Sequence, residues 1–152
     1  MLSLIQAKAR LDACADALQS RSSDIKAAFF SETPAAYALL ADLGGEIVGL
    51  VTYYFSYSTF LGRRGIWVDD LYVYPDYREQ GIGKALAGAL CKVAIETGCT
   101  RVDSTVPIEI ENEKVLRHVL GARVFEELRH IRINEPGMKK LARAAEGVFA
   151  GQ

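Results

Sequence analysis

Residues 69–86 constrain the fold of this chain most, because they join a strand, a turn, a glycine loop and the start of a helix. An apolar, aromatic-rich strand leads into a turn at Pro75, and the loop after it carries Gly81 and Gly83. The apolar residues that follow recur at helical spacing. Unpaired backbone N–H groups and the helix dipole favour negative charge at such a helix start. The stretch therefore predicts an anion site between a strand and a helix.

The length and the charge of the chain limit the classes of protein to which it can belong. The 152 residues predict a single domain over residues 1–152 that is large enough to bury a core. With 18 basic and 19 acidic residues the net charge is -1. The sequence therefore has no excess of positive charge that would indicate binding to nucleic acid or to an anionic membrane surface. No apolar run approaches ~20 residues and no signal-peptide pattern opens the sequence, so we expect a cytoplasmic protein.

The three cysteines, Cys14, Cys91 and Cys99, show neither a pairing pattern nor metal-ligand spacing. Their odd number and their apolar neighbourhoods predict buried thiols in a reducing compartment. We therefore expect no disulfide and no metal site in this chain.

Hydrophobic periodicity and turn residues predict the order of the helices and strands. The predicted helices cover residues 2–20, 25–31, 81–97, 111–120 and 138–149, and a short strand at residues 2–6 competes with the first of them. The predicted strands cover residues 37–43, 46–57, 66–74, 101–106 and 122–133, with Gly44 and Gly45 as a hairpin turn and Pro136-Gly137 as a chain break. This order predicts an α/β (α+β) fold with a mixed sheet and helices on both faces.

The glycine loop matches neither of two common phosphate-binding motifs. A P-loop requires Ser or Thr after Gly-Lys, but Ala85 follows Gly83-Lys84, and Arg78 stands where its first Gly belongs. A dinucleotide fingerprint requires a third Gly, and Leu86 takes that position. What remains is Arg78-x-x-Gly81-x-Gly83 on a strand-to-helix turn.

This motif, after an apolar strand and a Pro-x-Tyr turn, resembles the acetyl-CoA loop of the GCN5-related N-acetyltransferases (GNAT). Residues 53–57, 61–62 and 66–73 are similar to the diamine (spermidine/spermine) acetyltransferase branch, and the resemblance covers about residues 24–133. It implies the GNAT fold, a central, mixed, mostly antiparallel sheet flanked by helices, here with a shortened or missing first strand. It also implies direct transfer of the acetyl group of acetyl-CoA to a primary amine of a small molecule, polyamine- or lysine-like. The resemblance also implies a homodimer formed through the C-terminal strands, which the outward face of the predicted strand over residues 124–133 supports mildly.

The resemblance also implies the residues of the site. The cofactor-binding residues are Leu71, Tyr72, Val73, Arg78, Glu79, Gln80, Gly81, Ile82, Gly83 and Lys84. The backbone N–H at Val73 is the oxyanion donor. Asp69 matches the family's glutamate, a base that acts through water, and Asp69 and Asp70 are the substrate residues. Successive strand residues face opposite ways, so at most one carboxylate points into a given cleft. A structural role for both stays open, and Asp70 is the more structural of the two.

The chain departs from the family pattern in its second half. Arg117 stands where the family has a general-acid Tyr, and Ile110 stands where it has a cofactor-contacting Asn. If the local register differs from the family pattern, Asn112 could partly substitute for that Asn. His118 is expected on the surface. An alternative therefore stays open, a non-catalytic acyl-CoA-binding or regulatory module. Further acidic candidates for a second ammonium of the substrate are Glu109 and Glu111.

Overall fold

The computed structural model describes residues 1–106 and 115–149. Its backbone divides into two compact units, Met1–Ala122 and Arg123–Gln152. The elements of the first unit are helix α1 (Leu2–Leu11), a 3-10 turn (Ala15–Ala17), helix α2 (Ser22–Phe30), strands β1 (Tyr37–Leu43), β2 (Glu46–Ser58) and β3 (Arg63–Val73), a 3-10 turn (Pro75–Tyr77), helix α3 (Ile82–Glu96), strand β4 (Val102–Ser104) and a π-helical turn (Val115–Val119). The second unit contains helix α4 (Glu135–Phe149).

The four strands of the described residues form one sheet in the order β1-β2-β3-β4. Strand β2 pairs antiparallel with both β1 and β3, and β4 pairs parallel with β3. Gly44 and Gly45 close the first hairpin with φ angles of 65° and 92°, a region that favours glycine. The predicted mixed, mostly antiparallel sheet is confirmed, and the chain enters it at β1, after helix α1 rather than a first strand.

Helices pack on both faces of the sheet because residues of β2 alternate between two cores. On one face, Val51 and Tyr53 join side chains of α3, including Leu86 and Leu90. On the opposite face, Leu50 joins cross-strand Tyr72 and Leu4 of α1. The prediction of helices on both faces is confirmed.

The first helix is shorter in the structure than the sequence predicts. Helix α1 ends at Leu11, Ala13 takes a φ of 52°, and a 3-10 turn follows. Leu4 and Ala9 are buried whereas Leu11 is 58% exposed, so the helix stops where its packed face stops. The competing strand at residues 2–6 is wrong, because those residues are helical.

The cysteines are free, but two of the three are not buried. Cys14 and Cys91 are exposed and Cys99 is half-buried. Apolar neighbours in the sequence indicated burial, yet Cys14 lies beyond the packed part of α1 and Cys91 on the outer side of α3. Among the described residues no group of His, Cys, Asp and Glu side chains could hold a metal ion.

Two predictions in the second half of the chain are wrong. Residues 122–133 form no strand in the described part of the chain. A strand needs the hydrogen bonds of a neighbouring strand, and alternation in the sequence cannot supply that partner. Pro136-Gly137 does not break the chain either, because Pro136 lies in the first turn of α4, where proline is tolerated.

Part of the remaining prediction falls outside the described residues. Of the helix predicted over residues 111–120, the structure describes only the π-helical turn Val115–Val119, after which Gly121 takes a φ of 66°. Within the described ranges, no helix is long and apolar enough to cross a membrane.

Candidate active site

A β-bulge lies at Asp69, in the middle of strand β3. Tyr53 of β2 opposes Val68, and the next residue, Thr52, opposes Asp70, so Asp69 has no residue opposite it. A bulge changes the direction of the neighbouring side chains and increases the local twist. Asp69 is exposed, whereas Asp70 is half-buried on the face that α1 covers. The two carboxylates therefore lie in different surroundings.

Thr52 fixes the backbone on one side of the bulge. The Asp70 N–H donates to the Thr52 hydroxyl oxygen at 3.1 Å, and Thr52 is only 4% exposed. The side-chain bond replaces a ladder hydrogen bond that the bulge interrupts.

Burial raises the pKa of the Asp70 carboxyl above its usual value, and the nearby charge of Asp69 raises it further. Asp12 acts in the same direction, whereas the Lys8 ammonium and the Thr52 hydroxyl act in the opposite direction. Lys8 itself forms an ion pair with Asp12, one helical turn later. Asp70 is thus a desolvated carboxylate with more negative than positive charge around it.

A cavity of about 180 Å³ opens between α1, the turn after it and strand β3. We call it the N-terminal cavity, and its lining residues are Ile5, Lys8, Ala9, Asp12, Cys14, Ala17, Leu18 and Asp70. Its polar groups carry both signs of charge, and the rest of its wall is mostly apolar. It is large enough to admit a small organic group, since a single water takes a volume of only ~30 Å³.

Among the described residues, strand β3 has no partner strand beyond the bulge on the side away from β2, and we call this stretch the unpaired edge. Strand β4 pairs only with Ile66, Trp67 and Val68 of β3, and the Ser104 hydroxyl donates to the Val68 carbonyl at 3.1 Å where this pairing ends. The Tyr74 N–H donates to the Val48 carbonyl on β2 at 3.0 Å. Because adjacent residues of a strand direct their N–H groups to opposite sides, the Val73 N–H points away from β2, toward this edge.

The glycine loop brings the start of α3 to the same edge. Gly81 precedes the helix with a φ of 80°, and a Cβ added at Gly83 would meet only a Val73 methyl group, 3.9 Å away. The first hydrogen bond of the helix runs from the Ala85 N–H to the Gly81 carbonyl. The N–H groups of Ile82, Gly83 and Lys84 lie ahead of that bond, and no side chain in the described part of the chain caps them. These donors fit a diphosphate group.

Arg78 connects the loop to the unpaired edge. Its Nε donates to the Val73 carbonyl at 3.0 Å, and its guanidinium lies over the Tyr72 ring at 5.5 Å from the centroid. Two further bonds hold the turn, from the Tyr77 hydroxyl to the Glu46 carboxylate at 2.8 Å and from the Gln80 amide to the Asp76 carbonyl at 3.2 Å. The bond to Glu46 raises the pKa of Tyr77.

The structure thus brings together the two predicted groups of cofactor residues, the edge at Leu71, Tyr72 and Val73 and the loop of residues 78–84. Asp69 and Asp70 lie earlier on the same strand, at the bulge. Arg117 and His118 lie on the π-helical turn, and His118 is exposed there as expected. Ile110, Asn112, Glu109 and Glu111 lie outside the described residues.

Sequence reasoning missed Lys8, Asp12 and Thr52. The signal for the first two is their i,i+4 spacing with opposite charges on a predicted helix. Nothing local to that helix shows that it docks beside Asp70, which follows in the sequence about 60 residues later. Thr52 is a polar residue within the apolar run of β2, a pattern that indicates a buried hydrogen-bonding partner.

Comparisons with known proteins agree with this geometry. Residues 6–118 match the acetyltransferase (GNAT) family. The chain is 33% identical over 135 residues to thialysine N-epsilon-acetyltransferase of Bos taurus, which covers 84% of this chain and 79% of that protein. It is 29% identical over 106 residues to spermidine/spermine N(1)-acetyltransferase-like protein 1 of Homo sapiens, covering 65% of this chain and 15% of that protein.

Solved structures share the fold. The aminoglycoside acetyltransferase meta-AAC0020 from an uncultured soil metagenomic sample superposes with a TM-score of 0.73 at 20% identity, covering 88% of this chain and 86% of that chain. At this identity the likeness concerns the fold alone. The two sequence relatives carry the names of amine acetyltransferases of the branch that the sequence resembles.

Proposed function

Because the chain belongs to the GNAT family of acetyltransferases, we propose that it transfers the acetyl group of acetyl-CoA to a primary amine of a small molecule, polyamine- or lysine-like. The observation that carries the proposal is the unpaired edge of β3 beside the uncapped start of α3. A relative named as a thialysine N-epsilon-acetyltransferase supports the lysine-like class, and a relative named as a spermidine/spermine N(1)-acetyltransferase-like protein supports the polyamine-like class. A non-catalytic module is not favoured, since these relatives are named as N-acetyltransferases.

Acetyl-CoA supplies an acetyl group that is already activated as a thioester. The N–H groups of Ile82, Gly83 and Lys84 would hold its diphosphate at the positive end of the α3 dipole. Glu79, Gln80 and Gly81 shape the turn that aims these donors, and Arg78 adds positive charge beside them. The edge at Leu71, Tyr72 and Val73 offers backbone groups to the arm that carries the thioester.

The Val73 N–H is the donor that stabilises negative charge on the carbonyl oxygen while the amine attacks. Its direction, away from β2 and onto the unpaired edge, supports this role. The amine nitrogen forms the new bond to the acetyl carbon, and the carbon–sulfur bond breaks. The neutral amine that attacks loses its second proton to water as the amide forms, and the sulfur departs as a thiolate.

Asp69 is the proposed base. An alkyl ammonium has a pKa near ~10.4 and must lose a proton before it attacks. The exposed carboxylate at the bulge can take that proton through a water molecule. Asp70, desolvated beside it, is the proposed contact for the charged part of the acceptor.

Arg117 stands at the position where the family has its general-acid tyrosine. A guanidinium keeps its proton at every relevant pH, so Arg117 cannot serve as a proton donor. A thiol with a pKa near ~8.5 is a tolerable leaving group without an acid. We therefore propose that the sulfur leaves as the thiolate and is protonated by solvent.

The proposed assembly is a homodimer in a reducing, cytoplasmic environment. Large apolar side chains are exposed in the second unit, and a second copy of the chain would cover them. These residues are Phe125, Leu128, Ile131, Ile133, Met138 and Leu141. The free cysteines support the reducing environment. Light scattering coupled to size-exclusion chromatography measures the mass of the particle, and a monomer at micromolar concentration would contradict the dimer.

Acetyl-CoA binding and amine turnover together test the proposed function. Acetyl-CoA should raise the melting temperature by mass action, and release of free thiol should depend on an added amine. Asp69→Ala should abolish the amine-dependent release and keep the thermal shift, whereas Glu32→Ala, an exposed carboxylate outside the site, should change neither. No thermal shift at millimolar acetyl-CoA would contradict the proposal.

A further inference from the structure

We propose that Arg78 is a positioning residue for acetyl transfer. Its side chain occupies the carbonyl of Val73, so that the Val73 N–H can stabilise the thioester oxygen without a competing acceptor beside it. Arg78 would then act on the rate of transfer through a hydrogen bond, in addition to the positive charge that it brings to the glycine loop. The inference rests on the proposed function, because it concerns the backbone donor that the transfer would use.

The N–H and the carbonyl of Val73 point to the same side of strand β3. The Tyr74 N–H donates to the Val48 carbonyl on β2 at 3.0 Å. A trans peptide directs its N–H and its carbonyl to opposite sides, so the Val73 carbonyl in that peptide points away from β2. The Val73 N–H points the same way, because the two backbone groups of one strand residue share a direction. A donor and an acceptor therefore lie side by side at the unpaired edge.

The Val73 carbonyl would oppose the donor beside it if nothing bound it. A backbone carbonyl carries partial negative charge, and the thioester oxygen gains negative charge while the amine attacks. The Arg78 Nε donates to the Val73 carbonyl at 3.0 Å, and a charge-assisted hydrogen bond offsets the negative end of that dipole. The repulsion that the bond relieves grows as the oxygen gains charge. Its relief therefore favours the transition state more than the bound substrate and should raise kcat.

Tyr72 holds the Arg78 side chain in this position. The guanidinium lies over the Tyr72 ring, 5.5 Å from its centroid, and Tyr72 is only 6% exposed because it packs against Leu4 and Leu50. Arg78 itself is exposed, and a cation over a buried ring restricts a side chain that would otherwise move freely in water. The bond to Val73 uses one of the five guanidinium donors, so it is compatible with a charge contribution to the anion site.

Two neutral variants of Arg78 separate the hydrogen bond from the charge. The side-chain nitrogen of glutamine lies as many bonds from Cα as the Nε of arginine, so Arg78→Gln keeps a donor there. Arg78→Met has a methyl group at that place, and both variants lose the charge and keep an unbranched stem over Tyr72. At saturating substrates kcat should be at least about tenfold lower in Arg78→Met than in Arg78→Gln, because an oxyanion donor itself contributes about 10²–10³. The Kd of acetyl-CoA should be the same in both variants, which also shows that the loop is folded in each.

Arg64 supplies the matched control. It is also an exposed arginine with its guanidinium over an aromatic ring, 4.4 Å from the centroid of Phe55, but it lies near the opposite end of β3 from Val73. Arg64→Gln and Arg64→Met remove the same charge from the protein as the two Arg78 variants do. These two control variants should not differ from each other in kcat or in the Kd of acetyl-CoA.

The infrared spectrum of bound acetyl-CoA reports on the Val73 N–H without any turnover. A carbonyl that accepts a stronger hydrogen bond has a weaker C=O bond and a lower stretching frequency. Acetyl-CoA labelled with ¹³C at the carbonyl carbon separates this band from those of the protein. The frequency should be lower for the bound than for the free cofactor in the wild type and in Arg78→Gln. In Arg78→Met it should return toward the value of the free cofactor.

The outcomes separate this inference from the proposed function. Amine acetylation with equal kcat and equal carbonyl frequency in Arg78→Gln and Arg78→Met would overturn the inference and leave the proposed function in place. A lower frequency in Arg78→Gln than in Arg78→Met, with no acetylated amine from the wild type, would support the inference and contradict the proposed function. A wild-type protein that does not bind acetyl-CoA would overturn both.

Discussion

The backbone N–H of Asp70 donates to the hydroxyl oxygen of Thr52 at 3.1 Å, on the strand opposite. This bond closes the bulge that leaves Asp69 without a residue opposite it. It links a buried threonine of β2 to the two carboxylates of the candidate site. The position of these carboxylates therefore depends on a side chain that belongs to the core.

Replacing Thr52 by valine keeps the shape of the side chain and removes the hydroxyl. The Asp70 N–H then lacks its acceptor, and the free energy of unfolding should fall by about 1–2 kcal/mol in urea denaturation. The hydroxyl also lowers the pKa of Asp70, so in Thr52→Val that pKa should rise further, as NMR titration of the carboxyl would show. Thr52→Ser keeps the hydroxyl and should keep the pKa, and an equal shift in both variants would contradict the assignment.

The raised pKa of Asp70 predicts how stability depends on pH. A folded-state pKa above the unfolded value, ~3.9, means that the ionised carboxylate costs stability at higher pH and that this cost is absent below about pH 4. Asp70→Asn should therefore be more stable than the wild type at neutral pH, and its advantage should disappear on acidification. Denaturation at a series of pH values measures this, with Glu32→Gln, at an exposed carboxylate outside the site, as the reference. An advantage that did not change with pH would contradict the desolvation of Asp70.

Gly49 allows strands β2 and β3 to approach beside the unpaired edge. A Cβ at Gly49 would lie 3.0 Å from the Tyr72 carbonyl oxygen and 3.2 Å from side-chain atoms of Leu86 and Val73. Gly49→Ala should therefore destabilise the protein by about 1–3 kcal/mol and weaken acetyl-CoA binding, because Tyr72 and Val73 must shift.

Gly88→Ala is the opposite control for that substitution. A Cβ at Gly88 meets no atom within 4 Å, and the residue lies inside α3. Alanine should raise the free energy of unfolding by about 0.5–1 kcal/mol. Equal effects of the two substitutions would contradict the close approach at Gly49.

Glu79 has a φ of 61°, a left-handed conformation that costs a residue with a side chain about 1–2 kcal/mol. Glu79→Gly should stabilise the protein and tighten acetyl-CoA binding, because it also removes a negative charge next to the anion site. Glu79→Ala removes the charge and keeps the strain, so it should tighten binding without the same gain in stability. Calorimetry of binding and unfolding measures both effects, and weaker binding in both variants would argue against an anion site at this loop.

The local patterns of the sequence predicted the part of the fold that local chemistry determines. The strand predicted over residues 37–43 coincides with β1 (Tyr37–Leu43), because alternation and the turn at Gly44 and Gly45 define both of its ends. The glycine loop was recognised for the same reason, since its conformation depends on Gly81 and its immediate neighbours.

The features that the sequence did not predict depend on contacts between residues far apart in the chain. The bulge at Asp69 follows from the register between β2 and β3, which no pattern within β3 records. The contribution of Lys8 depends on where α1 docks. Residues 122–133 were predicted as a strand, and the described part of the chain has none there. β-branched and aromatic residues indicate a strand only where a neighbouring strand can pair with it.

The most direct test of the account is the detection of the reaction product. Protein, acetyl-CoA and a primary amine such as lysine or cadaverine are incubated together, and mass spectrometry follows the N-acetylated amine and free CoA. If the chain is an amine acetyltransferase, both products should form in equal amounts, both should require the protein, and Asp69→Ala should abolish them. Binding of acetyl-CoA with no acetylated amine from either acceptor, across the neutral and alkaline pH range, would contradict it.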